Sequence, residues 1–460
     1  MNIMQRKTVV PQITEGVIWH QLLIFFFPIL LGTFFQQMYN TVDTIIVGQY
    51  VGRHALAAVG ATAPLINLIN GFFIGLSSGA TVILSQFYGA NDRQGIEHTI
   101  HTGMALSLVL GVMVTLIGCL GGPYVLRLID TPENCIDDAL VYTQIYYSGA
   151  IASMIYNMGA SILRAMGDSK RPMIFLIVTC IVNIIMDLVL VVGLDMGVAG
   201  AAIATVASQV VSAILVVRTM FHLPDEQQLH VRRLHIHRNL LTNILQIGVP
   251  AGLQFITFDL ANVLIQFGIN SFGDVTVAAW AAESKIEAIA WMILSALGVA
   301  ITTFVGQNFG AEKYKRIRRS IWVCMGMGTG ILAVICTLLF CFRSTLMGIC
   351  SPDPDVIRLG CQIMTYTIPY IVFFIPVEIL AGAMRGTGYS IIPTAITFVF
   401  VCLFRVLWVV VVVSRWHTLV SLAIVYPLSW LLAAIAFFIT YFRGTWLRKP
   451  IADLGLTPEK

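Results

Sequence analysis

The sequence predicts an all-α integral membrane protein with twelve transmembrane helices in two parallel six-helix repeat lobes. Three observations predict it. The chain is 58% hydrophobic and 11% charged, with a mean hydropathy of +0.86, which leaves too few charges for the solvated surface of a 460-residue chain. Apolar runs long enough to cross a hydrocarbon core of roughly 30 Å recur along its length. The chain also contains itself twice. "SQFYGAND" at Ser85–Asp92 returns as "GQNFGAEK" at Gly306–Lys313, and "LRAMGDSKRP" at Leu163–Pro172 returns as "MRGTGYSIIP" at Met384–Pro393. Both pairs share one offset, since Gln86 and Gln307, and likewise Arg164 and Arg385, stand 221 residues apart.

The spans expected in the first half are 17–47, 55–84, 99–122, 138–164, 171–194 and 197–220. In the second half they are 240–270, 276–306, 317–343, 357–384, 391–414 and 419–442. No alternating strand pattern competes with them, and helices satisfy their backbone groups internally where water is absent. The first run is too long for a signal-peptide core and is expected to stay as the first membrane helix. The organisation expected is therefore an N-terminal lobe over 1–220, a cytoplasmic linker over 221–238, a C-terminal lobe over 239–445 and a cytoplasmic tail over 446–460. The linker, "FHLPDEQQLHVRRLHIHR", is the longest polar stretch.

Positive charge sets the expected orientation. With the N-terminus inside, Arg6, Lys7, the linker arginines, the Lys313–Arg319 cluster and the C-terminal Arg448 and Lys449 all fall on the cytoplasmic side. The outer side keeps only Arg53, Arg127, Arg343, Arg358 and Arg415. The net charge of +4 then reads as an insertion signal, and no basic stretch alternates with aromatics as a nucleic-acid reader would. Six spans per half make the halves parallel repeats, related by an axis along the membrane normal. Such halves enclose a cavity and expose it alternately by rocking, which argues for a transporter.

Ionisable groups within membrane helices are costly and each is a functional candidate. Asp43 and Asp187 lie about 7 and 12 Å from the outer ends of helices one and five, at 1.5 Å per residue. Asn183 sits one turn before Asp187 on the same face, and Thr205 of helix six reaches a similar depth. This oxygen-rich cluster suits a proton or Na⁺; the competing reading is a hydrogen-bonded set that only joins helices. The repeat supplies an internal control. At the shared offset Asp43, Asn183, Asp187 and Thr205 become Leu264, Phe404, Trp408 and Tyr426, so the cluster is confined to one half while the loop motifs are kept in both. A requirement of the fold would appear twice.

The second half has its own charges. Lys285 is expected to pair with Glu283, Glu287 or a neighbouring helix. Asp259 and Glu378 show no evident partner and are read as cavity-lining or substrate-contacting; Glu378 is the repeat mate of Asn157. Pro28 and Pro250 are near-equivalent prolines that each remove a helical hydrogen bond and permit a bend. Nine cysteines without a Cys-x-x-Cys suggest neither zinc nor a disulfide framework, with Cys350 and Cys361, near the outer face, the one pair considered. His222, His230, His235 and His237 are expected in a solvated loop rather than at a metal. "GMGTG" at Gly326–Gly330 lies in a membrane helix, where small residues permit close packing, and no Walker A motif is present.

"QQMYNTVDTIIVG" at Gln36–Gly48, "ILRAMGDSKRP" at Ile162–Pro172 and "NIIMDLVLVVG" at Asn183–Gly193 resemble motifs of multidrug and toxic compound extrusion (MATE) transporters. The likeness runs nearly the whole chain, and resembles most the bacterial and archaeal branch with its cation site in the N-terminal lobe. It implies two six-helix lobes exporting organic, often cationic, compounds in exchange for H⁺ or Na⁺. It places the family's coupling residues on Asp43, Asn183, Asp187 and Thr205, its lobe-lining polar positions on Tyr39, Tyr142 and Asn157, and its bending proline on Pro28. Another branch carries an acidic pair in helices seven and ten; Asp259 and Glu378 are on those helices without clearly matching its positions.

The expectation is a secondary active multidrug exporter working by alternating access, with a lipid or lipid-linked saccharide flippase as the alternative. The chain is not expected to be an enzyme: no nucleophile, base and metal set clusters within the bilayer. No cofactor beyond the coupling ion and no metal are expected. The expected partners are small-molecule substrates and membrane lipids, without nucleic acid, around a monomer. It is expected in the cell (inner) membrane with both termini cytoplasmic.

Overall fold

The computed structural model describes residues 13–128 and 135–453. Arg6 and Lys7, which entered the charge argument, lie outside them. Eleven helices are long and apolar enough to cross a membrane. With one broken helix between the third and fourth of them, they give twelve elements. These are α1 (Ile18–Val51), α2 (His54–Gly89), α3 (Arg93–Arg127), α4 (Ile136–Ser148 and Ala150–Ala165), α5 (Lys170–Gly193) and α6 (Gly197–Met220). The second set is α7 (Arg238–Asn270), α8 (Asp274–Gly310), α9 (Tyr314–Cys341), α10 (Pro354–Gly386), α11 (Ile391–Val413) and α12 (Leu419–Arg443). Short helices at Arg343–Cys350 and Thr445–Asp453 complete the described residues.

The break in α4 departs from the continuous span expected at 138–164, and its cause is local. Gly149 has ψ near 0° (−1°), and its amide donates to the Tyr146 carbonyl at 3.1 Å, a tighter turn than the α-helix makes. A Cβ on Gly149 would stand 2.7 Å from Val206 of α6. The chain turns there because only a glycine lets the kink press onto the next helix.

By contacts the chain divides into two compact units. The first is chiefly Phe27–Gly248; the second is chiefly Val249–Phe309 with the chain from Lys313 on, and it also takes in Val17–Phe26. Within the first unit, α2 and α7 approach backbone to backbone. A Cβ on Gly248 would lie 2.6 Å from the Leu76 carbonyl oxygen, and Gly79 faces the Ile244 carbonyl in the same way. Small residues serve helix packing in membranes because apolar side chains gain little by leaving lipid. The core of this unit also takes in Met158, Ile162, Leu163, Val216 and Met220. In the second unit, of the three glycines in "GMGTG" only Gly328 packs tightly, its Cβ position lying 3.0 Å from Leu297.

The linker is not the solvated loop expected. Leu229 is buried in the core of the first unit and its amide donates to the Met220 carbonyl at 3.1 Å. Arg233 pairs with Glu97 of α3 at 2.8 Å, and Arg93 pairs with Glu226. The imidazoles of His98 and His237 stack with centroids 4.1 Å apart, and the His230 amide donates to Nε2 of His101 at 3.1 Å. The apolar residues Leu223, Leu229 and Leu234, spaced among the charges, fold the segment back onto α3 and α6. All nine cysteines are free, Cys350 and Cys361 included.

Two predictions follow from this packing. Gly248→Val inserts a branched side chain where α2 and α7 touch, and is expected to cost about 1–3 kcal/mol or more as overpacking; a lower unfolding temperature and reduced monodisperse yield in detergent would show it. His237 binds protons less readily than a free histidine, through burial first and then through the nearby His98, His235 and His101. The unfolded segment titrates near 6.5, so linker packing holds above that pH and weakens as pH falls below it. Hydrogen exchange at 229–237, corrected for intrinsic rates, is expected to be faster at about pH 5.5 than at 7.5, and His237→Gln to reduce that difference.

Candidate functional site

The first unit gathers the polar residues of α1, α4, α5 and α6. Asp43 is 7% exposed, and Asn183 and Asp187 are fully buried. One oxygen of Asp43, both oxygens of Asp187 and both polar atoms of Asn183 have no hydrogen-bond partner. Asp43 and Asp187 stand close enough to repel one another. Tyr142 of α4 lies beside both, and Tyr39 of α1 beside Asp43. Thr205 is buried on α6, where its carbonyl accepts from the Ser208 hydroxyl at 2.7 Å. Asn157 is half-buried and donates to Ser153 at 3.4 Å. The structure thus brings Asp43, Asp187, Tyr39 and Tyr142 together, and leaves Asn183 unbonded one turn before Asp187.

Backbone geometry marks the same place. After Asp43, the last turn of α1 widens, the Gly52 amide reaching back five residues to the Val47 carbonyl at 3.1 Å. After Asp187, α5 widens likewise, Leu194 donating to Val189 at 2.9 Å. Turns of this kind are uncommon, but α11 of the second half widens as well, at Phe398–Leu403 and at Val409–Val413, and the latter is the repeat position of the α5 turn, so that turn belongs to the shared scaffold. The two wide turns pack against one another. Pro28, buried earlier on α1, leaves the Ile24 carbonyl without its helical donor.

Some residues of the site were not singled out from the sequence. Asn70 of α2 donates to the Tyr146 hydroxyl at 2.8 Å, and Gln209 of α6 also reaches it. Tyr142 and Tyr146 stack at 6.2 Å. An amide in the middle of an apolar span is the signal that would have found Asn70 and Gln209.

The arrangement fits a small hard cation. Buried carboxylate and amide oxygens without partners suit a proton or Na⁺, and an unneutralised pair of carboxylates is costly at this depth. No group of three His, Cys, Asp or Glu side chains among the described residues is arranged to hold a metal.

The second unit corrects two expectations. Glu378 has a partner: Arg385, two turns along α10, at 3.5 Å. Arg385 also donates to Gln254 at 2.8 Å, and Gln254 donates to Thr397 at 3.0 Å. The Glu378 carboxylate sits against Gly298, so it is held within a network. Lys285 is exposed, and among the described residues no ion pair joins it to Glu283 or Glu287. Its position two residues from each glutamate puts it on the other side of the helix. Asp259 is half-buried without a hydrogen bond or ion pair.

Fold and site define a two-lobe, twelve-helix membrane transporter scaffold with a polar cluster in its first half. Residues 28–189 and 250–411 each match the model of the MatE family, and the two matches differ by 222 residues at both ends (250 − 28 and 411 − 189). The chain belongs to this family of multidrug efflux transporters. It is 27% identical to the probable multidrug resistance protein YoeA of Bacillus subtilis, over 99% of this chain and 100% of that one. It is 25% identical to a protein named FAD transporter from Shewanella oneidensis, over 72% of this chain and 74% of that one. A solved outward-facing multidrug resistance MATE transporter shares its fold with a TM-score of 0.89 at 22% identity, covering 96% of this chain and 99% of that one.

The unpaired carboxylates make a thermodynamic prediction. Asp187→Asn removes a buried ionisable group that no donor compensates, so the variant is expected to unfold at a higher temperature than the wild type at neutral pH. A thermal melt of purified protein checks it, and a clear loss of stability would mean that Asp187 serves to join helices.

Proposed function

We propose that this chain is a secondary active exporter that moves organic, often cationic, compounds outward in exchange for H⁺ or Na⁺. The observation that carries this reading is the pair Asp43 and Asp187, buried, mutually repelling and without partners, in one half of a duplicated chain. A coupling ion neutralises that pair; structural glue would have brought its own donors.

In the proposed cycle the ionised cluster accompanies a loaded substrate. A proton or Na⁺ arriving from outside occupies Asp43 and Asp187, with Asn183 and Thr205 as further oxygen ligands. Neutralising Asp43 removes the repulsion that holds it apart from Asp187, and α1 bends at Pro28, where a backbone hydrogen bond is already missing. Tyr39, Tyr142 and Asn157 contribute to the surface the substrate leaves. Asp259, which has no partner, is a further substrate contact; Glu378 contributes through its pair with Arg385. The coupling ion is the only cofactor in this reading, small molecules and lipids are the partners, and the chain acts as a monomer. The proposed location is the cell (inner) membrane, with both termini in the cytoplasm as the positive charges favour. The relatives named multidrug resistance proteins support export over flipping of a lipid-linked saccharide.

Efflux of ethidium from proteoliposomes, with a proton or a sodium gradient imposed separately, tests this reading. The wild type is expected to respond to one gradient, and Asp43→Asn and Asp187→Asn to lose about 5–150-fold of that flux, the span of ordinary coupling energies. Undiminished transport by both variants would sink the coupling role. A flavin nucleotide belongs in the same assay, because one relative is named an FAD transporter.

A further inference from the structure

The second unit holds a charge cluster that the proposed cycle does not use. Glu283 and Glu287 stand one turn apart on one face of α8, about 14 and 20 Å along it from Asp274 at 1.5 Å per residue. Glu283 is 1% exposed and accepts a hydrogen bond from the Thr367 hydroxyl of α10 at 2.7 Å. Oxygen Oε1 of Glu287 is buried with no partner. Among the described residues the cation facing the pair, on its Glu287 side, is Arg405 of α11, 3% exposed, whose Nε donates to Ser429 of α12 at 2.9 Å. Its guanidinium lies over the Tyr426 ring, 4.5 Å from the centroid, and 6.0 Å from that of Trp430. No carboxylate comes within ion-pair distance of Arg405 among the described residues. Trp430 is fully buried in the same cluster, against Trp291 and Phe374, and its indole N–H has no acceptor.

The charges do not balance. Two carboxylates and one guanidinium leave a net −1 in an apolar interior, where an uncompensated charge costs several kcal/mol. One bound proton brings the sum to zero. The groups facing the pair offer no other route to neutrality. Besides Arg405 they are the Tyr426 phenol and, on the Glu287 side, the Cys336 thiol of α9, and Lys285 is exposed elsewhere.

The repeat separates this cluster from the requirements of the fold. At the 221-residue offset Glu283, Glu287 and Arg405 become Thr62, Ile66 and Ile184. In the reverse direction Asn183, Asp187 and Thr205 become Phe404, Trp408 and Tyr426. Each half therefore carries a buried acidic pair that the other lacks, on different helices.

We propose that Glu283 and Glu287 form a second proton-binding centre, in the C-terminal half, holding one shared proton against the fixed charge of Arg405. The centre is distinct from Asp259 and from Glu378, which is already paired with Arg385. Its proton is held on a carboxyl oxygen of either glutamate, the other carboxylate remaining charged opposite Arg405.

Infrared spectroscopy of the purified full-length protein tests this at rest, without any transport. The carbonyl stretch of protonated carboxyl groups is recorded at neutral pH in the Asp43→Asn/Asp187→Asn background, which removes the first pair. The proposal expects one protonated carboxyl. Glu283→Gln and Glu287→Gln should each abolish it, because the carboxylate left behind is balanced by Arg405 alone. Arg405→Gln should raise it to two, and Arg405→Lys should leave one, which guards against reading misfolding as chemistry. Loss of the band with only one of the two glutamine variants would overturn the shared proton. A band indifferent to both, or absent at the start, would overturn the centre itself. Because no flux is measured, failure here is independent of whether the chain exports ethidium.

Discussion

An uncompensated charge cannot rest cheaply in hydrocarbon, and this constraint organises the molecule from the backbone upward. It forces helices, since each peptide group must find its partner along its own strand of chain. It also sorts the few buried ionisable groups into those that carry a partner and those that do not. Glu378 with Arg385 and Gln254 belongs to the first kind. Asp43 and Asp187 belong to the second, and in the other half Glu287, held by Trp291, keeps one oxygen without a partner. A satisfied network fixes helices in place, whereas an unsatisfied carboxylate waits for a cation.

Duplication makes this sorting visible. The two halves keep Gly89 and Gly310, Arg164 and Arg385, and Pro172 and Pro393 at one offset, within the loop motifs they share. The charges diverge. Where the first half has Asn183, Asp187 and Thr205, the second has Phe404, Trp408 and Tyr426, and it moves its own acids to α8. Arg164 and Arg385 show the same divergence within a shared position. Arg164 donates to Ser161 at 3.1 Å, while Arg385 binds the glutamate that replaces Asn157. A common scaffold thus hosts two different electrostatic arrangements.

The sequence displayed the parts of the structure that rest on composition and periodicity. Eleven of the twelve spans are continuous helices close to where hydropathy put them, and the carboxylates of the first half meet as their shared depth implied. What stayed hidden depends on contacts across the fold. The break at Gly149 arises from its contact with Val206 of a different helix. The linker looked solvated because its charges outnumber its leucines, yet Leu229 finds a core, Arg233 finds Glu97 and Glu226 finds Arg93. Lys285 looked like a partner for its neighbours because one-dimensional distance ignores helical phase; two residues along a helix is the far side. The Asn70–Tyr146 contact joins residues 76 apart and no local pattern announces it.

The wide turns after Asp43 and Asp187 connect geometry to chemistry. A five-residue reach loosens the hydrogen-bond ladder just after each aspartate, at Val47–Val51 and Leu188–Gly193. Pro28 gives α1 a second soft point, where a helical hydrogen bond is missing. A helix with compliant segments on both sides of its only buried carboxylate responds to neutralisation of that carboxylate as a unit. In α8, by contrast, Glu283 and Glu287 sit within one unbroken helix, where a change of charge is absorbed by Arg405 and the rings that hold it. The same electrostatic problem is met in one half by a backbone able to move and in the other by a cation that cannot leave.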